Sequence, residues 1–284
     1  MALVRSIHVL SMLMSIFGMS YDLITDLGLR IKEKMHRLTL FFDRMLYNSE
    51  ILCNFAGKYK RNTTMKVINL SEQPSLLNQY LKELRSVETQ KDSMRFRRNI
   101  ERIGEIMAVE ISKHLNYAVE QVQTPLAVAD IEVPQSKVVL GTLLRAGLPM
   151  HQGFLNMFDH AENAFISAYR QETIGRRSET QLEIISEYLA APSIEGKTLI
   201  LVDPMLATGL SMEVAYKALL SHGTPECVHI ACLFGTPQSI AYLQENMPEN
   251  VTLWCVVIDP VLNEKKYIVP GLGDAGDLCF GEKL

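Results

Sequence analysis

The sequence predicts an α/β fold, a parallel sheet flanked by helices, and three observations carry that expectation. Short apolar runs rich in β-branched residues, KVVLGTLL, NAFISAY, TLILV, VHIACLF and TLWCVVI, recur between residues 137 and 258. Such runs suit strands that are covered on both faces. They alternate with segments whose apolar residues fall at three- and four-residue spacing, as expected of strands joined by helical crossovers. Finally, 48% of the 284 residues are hydrophobic and the mean hydropathy is +0.07, enough apolar side chain for a generous core.

Residues 1–64 stand apart from this pattern. Residues 7–19, IHVLSMLMSIFGM, are apolar except for His8, Ser11 and Ser15 and follow Arg5, which brings a signal peptide or membrane anchor into consideration. The run is too short for a bilayer, which takes about 20 residues, and no small-x-small cleavage pattern follows it. Residues 21–64 mix Phe and Leu clusters with KEK and KYKR and end in the polar RNTT before Met65. The expectation is a boundary at Met65. Residues 1–64 are then an N-terminal extension, either an upstream addition not native to the protein or a lineage-specific helical arm, and 65–284 form one domain of ordinary length.

Within 65–284, helices are expected over 75–87 and 93–118, the second with Phe96, Ile100, Ile103, Met107, Ile111 and Leu115 along one stripe. Strand 137–144 leads to a helix from about Pro149, and strand 163–169 follows. Residues 181–189, QLEIISEYL, alternate more loosely, as one arm of a hairpin projecting from the sheet would. Strand 199–202 precedes a loop over 203–209 and a helix over 211–222. Strand 228–234, helix 237–246 and strand 252–258 complete the alternation.

The formal net charge of -4 argues against a chain that holds nucleic acid by bulk electrostatics, so an anionic ligand needs a local site. The five cysteines, at 53, 227, 232, 255 and 279, form no C-x-x-C pair and mostly lie in or beside apolar runs. That pattern fits a reducing cytoplasm, with neither a disulfide framework nor a zinc site.

Ligands of an open parallel sheet bind beyond the carboxyl ends of its strands, and three loops there are unusual. In TLILVDPMLATGLSMEV, the small residues Ala207, Thr208 and Gly209 let backbone N–H groups converge, and the helix that follows adds a partial positive charge. Such a loop suits a phosphate monoester, with Asp203 accepting hydrogen bonds from sugar hydroxyls. The competing reading is that Asp203 and Ser211 only cap the helix. In LGTLLRAGLPM, Arg145 beside Ala146 and Gly147 is a candidate diphosphate clamp, or a surface Arg paired with a carboxylate; His151 fits a helix face better than a catalytic role. In YIVPGLGDAGDLCFG, glycines and a proline around Asp274 and Asp277 force an irregular backbone able to meet a flat polar ligand. Those two carboxylates are otherwise metal ligands or turn stabilisers. Asp259 and Asn263 mark a further loop at the same end of the sheet.

The three loops together resemble those of the uracil phosphoribosyltransferase family, which read close to DPMLATGGS, LRAGLGM and IVPGLGDAGD. Here they stand as DPMLATGLS, LRAGLPM and IVPGLGDAGD, in the same order and spacing. The resemblance runs from about Met65 to the C-terminus and leaves out residues 1–64. Leu210, Pro149 and Leu278 depart from the family's wording, as does QETIGRRSETQ after Arg170, whose Arg176 and Arg177 either line a flap or face solvent.

The resemblance implies a type I phosphoribosyltransferase-like sheet with a small C-terminal hood that binds the base. It implies conversion of uracil and 5-phosphoribosyl 1-diphosphate to UMP and diphosphate with magnesium. Carried over position by position, Arg145 and Arg170 contact the donor. Asp203, Pro204, Met205, Leu206, Ala207, Thr208, Gly209, Leu210 and Ser211 hold its ribose and 5-phosphate. Ile268, Gly273, Asp274 and Ala275 bind uracil, and Asp274 and Arg145 are the catalytic candidates, Asp274 also approaching the donor. A homodimer or higher homo-oligomer is implied, and GTP is a candidate effector. The alternative is a non-catalytic regulator that senses a nucleotide on the same fold.

Overall fold

The computed structural model describes residues 65–174 and 180–283. The extension expected over 1–64 lies outside these residues, as do Arg176 and Arg177. In chain order the elements are β1 (Lys66–Asn69), α1 (Leu76–Arg85), α2 (Ser93–Ser112), β2 (Tyr117–Gln123), β3 (Val128–Pro134), β4 (Val138–Leu144) and α3 (Leu148–Met157). They continue with β5 (Glu162–Ile174), β6 (Thr180–Ala190), β7 (Thr198–Val202), α4 (Leu210–Leu219), β8 (Cys227–Gly235) and α5 (Pro237–Asn246). The last are β9 (Val251–Ile258), β10 (Val261–Leu262), β11 (Ile268–Val269) and α6 (Ala275–Phe280).

One sheet has the order β1-β9-β8-β7-β4-β5-β6. Every pairing in it is parallel except β5 with β6, the hairpin legible in QLEIISEYL. Strands β4, β7 and β8 are almost wholly buried, in keeping with their continuous apolar text. Successive side chains alternate between the two faces. Leu140, Ile200, Val202 and Trp254 pack with α1, α2 and α3, whereas Val139, Leu199, Leu201 and Leu253 pack with α4 and α5. From β4 the chain passes to β5 on one side and returns to β7 on the other. The order therefore reverses between the neighbours β4 and β7, and an open α/β sheet places its ligand crevice beyond the carboxyl ends of such a pair.

Four local features differ from the sequence reading. KVIN is a strand, β1, held in parallel register on β9 with Lys66 opposite Thr252. Helix α2 ends at Ser112, earlier than expected. Leu115 is buried without being helical, which prolongs the apolar stripe past the last turn. Tyr117–Gln123 and Val128–Pro134 then pair as an antiparallel hairpin whose residues are largely exposed. The glycine-rich C-terminal loop also contains β11 and α6.

Candidate active site

The loop after β7 is stitched to the end of β8. Leu206 N–H donates to the Phe234 carbonyl at 2.8 Å, and the Phe234 N–H donates to the Pro204 carbonyl at 3.0 Å. The Thr236 hydroxyl donates to the Ala207 carbonyl at 3.0 Å. Gly209, at φ +85°, is the N-cap of α4, and no side chain caps that helix. Neither Asp203 nor Ser211 caps it, which removes the capping alternative; Asp203 Oδ1 instead accepts from the Met205 N–H at 3.2 Å. The N-terminal end of α4 borders a chamber of about 30 Å³ walled by residues 205–209, Asp203, Ser211 and Met212. Uncapped N–H groups and the helix dipole make such a place an anion site. Leu210 is the first helical residue, so a branched side chain is tolerated where the family wording has Gly. Pro149 lies in the first turn of α3, where a missing N–H costs nothing, and Leu278 packs at the edge of the core.

This chamber shares Asp203, Met205, Ala207 and Ser211 with a cleft of about 570 Å³. The cleft is also lined by Arg145 and Ala146 from the end of β4 and by Ile268, Gly273, Asp274 and Ala275 from the C-terminal hood. All the described side chains assigned to phosphoribosyl and uracil recognition thus line the cleft or its chamber, apart from buried Pro204 and Leu210 at the helix start. Arg170 lies on β5, but its side chain falls outside the described portion.

Arg145 Nη2 donates to Asp277 Oδ1 at 2.6 Å and to the Gly281 carbonyl at 2.7 Å, while its buried Nε has no partner among the described residues. The carboxylate-pair alternative is thus realised at the cleft wall, and only Nη2 of the guanidinium is engaged among the described residues. Asp274 Oδ1 accepts from the Asp277 N–H at 2.9 Å and caps α6, so its side chain also stabilises the turn. Burial pushes the Asp203 carboxyl up to about 7, against the lowering effect of its bond from Met205. Lys265, Lys266 and Lys283 stand on the cleft wall. Sequence reasoning missed them; the only signal was a KK pair and a terminal Lys near the base loop.

Among the described residues, no three His, Cys, Asp or Glu side chains converge into a metal cage. A magnesium ion keeps several waters and takes phosphate oxygens together with one or two carboxylates. The cleft carboxylates Asp203 and Asp274 fit such an ion when it arrives with a phosphorylated substrate.

A small chamber at a helix N-terminus, a carboxylate at the strand end and an arginine beyond the neighbouring strand are what a phosphoribosyltransferase requires. The family model for uracil phosphoribosyltransferase matches residues 71–282. The uracil phosphoribosyltransferase of Porphyromonas gingivalis is 55% identical over 220 residues, covering 78% of this chain and all of that protein. The one from Pyrococcus furiosus is 34% identical over 221 residues, covering 77% of this chain and 91% of the relative. Among solved structures, the AQ2163 protein of Aquifex aeolicus superposes with a TM-score of 0.64 at 26% identity, covering 76% of this chain and 98% of that one. The chain belongs to the uracil phosphoribosyltransferase family.

Proposed function

We propose that the protein transfers the phosphoribosyl group of 5-phosphoribosyl 1-diphosphate to N1 of uracil, giving UMP and diphosphate in pyrimidine salvage. The observation that carries this reading is a single cleft in which the phosphate loop, Arg145 and the Ile268, Gly273, Asp274 and Ala275 surface meet. The 5-phosphate sits at the α4 N-terminus, and Asp203 accepts from the ribose hydroxyls. Uracil lies on the hood, where backbone groups of Ile268, Gly273 and Ala275 match its O2, N3–H and O4. Cytosine, with an amino group at C4, leaves a buried donor or acceptor unpaired and is rejected.

In the reaction the C1–O bond to diphosphate breaks, the C1–N1 bond forms and the N1 proton leaves. Positive charge develops on the ribose and negative charge on the departing diphosphate. Arg145, with Arg170, stabilises the diphosphate, and Asp274 stands where base and donor meet. Asp203 and Asp274 would hold a magnesium ion that arrives with the donor, and the ion would supply further neutralisation of the leaving group. The domain that does this work is 65–284. No helix among the described residues is long and apolar enough to cross a membrane. The free thiols of Cys227, Cys232, Cys255 and Cys279 support a cytoplasmic location. A homo-oligomer is supported by the exposed apolar residues of the β2–β3 hairpin, among them Val119, Leu126 and Val128.

The test is UMP formation by the full chain offered uracil, cytosine and hypoxanthine separately with the donor and magnesium, with and without GTP. Turnover of uracil alone is expected, reduced at least about 100-fold in Asp274→Asn, which keeps an oxygen for the α6 cap. A folded protein that binds the donor and turns over none of the bases refutes the reading and leaves the regulator.

A further inference from the structure

We propose that Arg85 and Asp259 are positioning residues for the nucleobase, gripping the base-binding turn from outside the cleft; this rests on the uracil reading above. Neither residue lines the cleft. Arg85 is the last residue of α1, and Asp259 follows β9, 174 positions away in sequence.

The two close a ring of hydrogen bonds on one residue, Gly271. Its N–H donates to Asp259 Oδ2 at 2.9 Å, its carbonyl accepts from Arg85 Nη1 at 3.3 Å, and Arg85 Nη2 donates to Asp259 Oδ1 at 2.8 Å. The Asp259 side chain is 6% exposed, so its carboxylate meets these partners rather than water. Gly271 takes φ +48°, and a Cβ there would lie 2.2 Å from the Ile268 carbonyl oxygen. The turn is therefore as tight as glycine allows, and any movement of Gly271 is passed directly to the Ile268 carbonyl on one side and to Gly273 on the other. Those are the groups assigned to uracil.

The same guanidinium lies over the Phe234 ring, 4.6 Å from its centroid. The Phe234 backbone is what anchors Pro204 and Leu206 of the phosphoribosyl loop. Arg85 thus sets the base turn against the strand end that fixes the donor loop, and so governs how uracil N1 is presented to C1. Its planar fork meets a carboxylate and a carbonyl while stacking on a ring, a combination that a lysine ammonium cannot reproduce.

The experiment is steady-state kinetics of the full chain for Arg85→Lys, Arg85→Ala and Asp259→Asn, with KM measured separately for uracil and for the donor. The expected result is a rise of about 10-fold or more in KM for uracil in each variant, with KM for the donor within about 2-fold of wild type. An unchanged KM for uracil overturns the proposal, as does an equal rise for both substrates. So does the loss of folding in all three variants, because the pair then only holds the fold together. Failure of the wild-type chain to use uracil counts instead against the functional reading on which the proposal stands.

Discussion

Asp203 places the requirement of binding against that of folding, and the size of the conflict follows from its burial. Its carboxyl is raised from 3.8 to about 7 because the site strips water from the charged form. About three pH units at about 1.4 kcal/mol each set an upper limit of about 4 kcal/mol on what the ionised side chain, half-buried at the cleft wall, costs folding. The sign follows from proton binding. Below pH 4 the group is protonated in both states and costs nothing. From about pH 4 to 7 only the unfolded chain releases the proton, so stability falls as pH rises, and above about 7 both states are ionised and the loss is complete.

Asp203→Asn removes this titration while keeping an oxygen for the Met205 N–H. The variant is therefore expected to gain stability relative to wild type as pH rises, by about 2 kcal/mol between pH 5.5 and 8.5. Denaturant titrations followed by fluorescence measure it directly, because the chain has a single tryptophan and Trp254 is buried in the core. The same variant loses at least about 100-fold in kcat/KM, since a neutral amide is a weaker acceptor for ribose hydroxyls. A stability difference that stays constant from pH 5.5 to 8.5 refutes the argument, because it shows that the carboxyl does not titrate differently on folding.

Two further outcomes test the scaffold and the rim of the site. A Cβ on Gly153 would lie 2.0 Å from the Glu101 carbonyl oxygen and 3.0 Å from the Glu105 nitrogen, both backbone atoms of α2. Gly153→Ala is expected to force α2 and α3 apart and lower the unfolding free energy by about 3 kcal/mol, read from denaturant midpoints. Lys265, Lys266 and Lys283 line the cleft to which the polyanionic donor is assigned above. KM for the donor is expected to rise several-fold, to about 5-fold, between about 50 and 500 mM salt while KM for uracil stays flat, and replacing all three lysines by alanine is expected to flatten the donor's dependence.

What was legible in the sequence followed burial. Strands β4, β7 and β8 are apolar on both faces and read as strands without further help. β1 did not, because its four residues, one exposed and three half-buried, owe their conformation to pairing with β9 rather than to their own pattern. The β2–β3 hairpin escaped for a related reason: its residues face solvent on both sides, so no alternation marks it. The loops that meet at the cleft could be read because they follow the carboxyl ends of buried strands, where an open α/β sheet places its crevice. The groups that hold those loops could not, since their role exists only across the fold. Arg85 read only as part of a helix expected over 75–87 and Asp259 only as marking a further loop at the ligand end of the sheet; nothing in the sequence paired them, and Asp277 gave no sign of facing Arg145.

That last contact ties two separate stretches of the cleft region together. Arg145 follows the carboxyl end of β4, yet its partners Asp277 and the Gly281 carbonyl belong to α6 and the residue after it in the hood. Asp274 caps the same helix and faces the same cleft. Arg97 of α2 fixes its far end, donating to the Cys279 carbonyl at 2.6 Å. With α6 held by Arg97 and the preceding turn held by Arg85 and Asp259, the hood cannot drift from the strand ends without breaking charged hydrogen bonds on both sides. The reaction needs C1 of one substrate close to N1 of the other, and a site preorganised in this way meets the entropy of that encounter during folding rather than at each turnover.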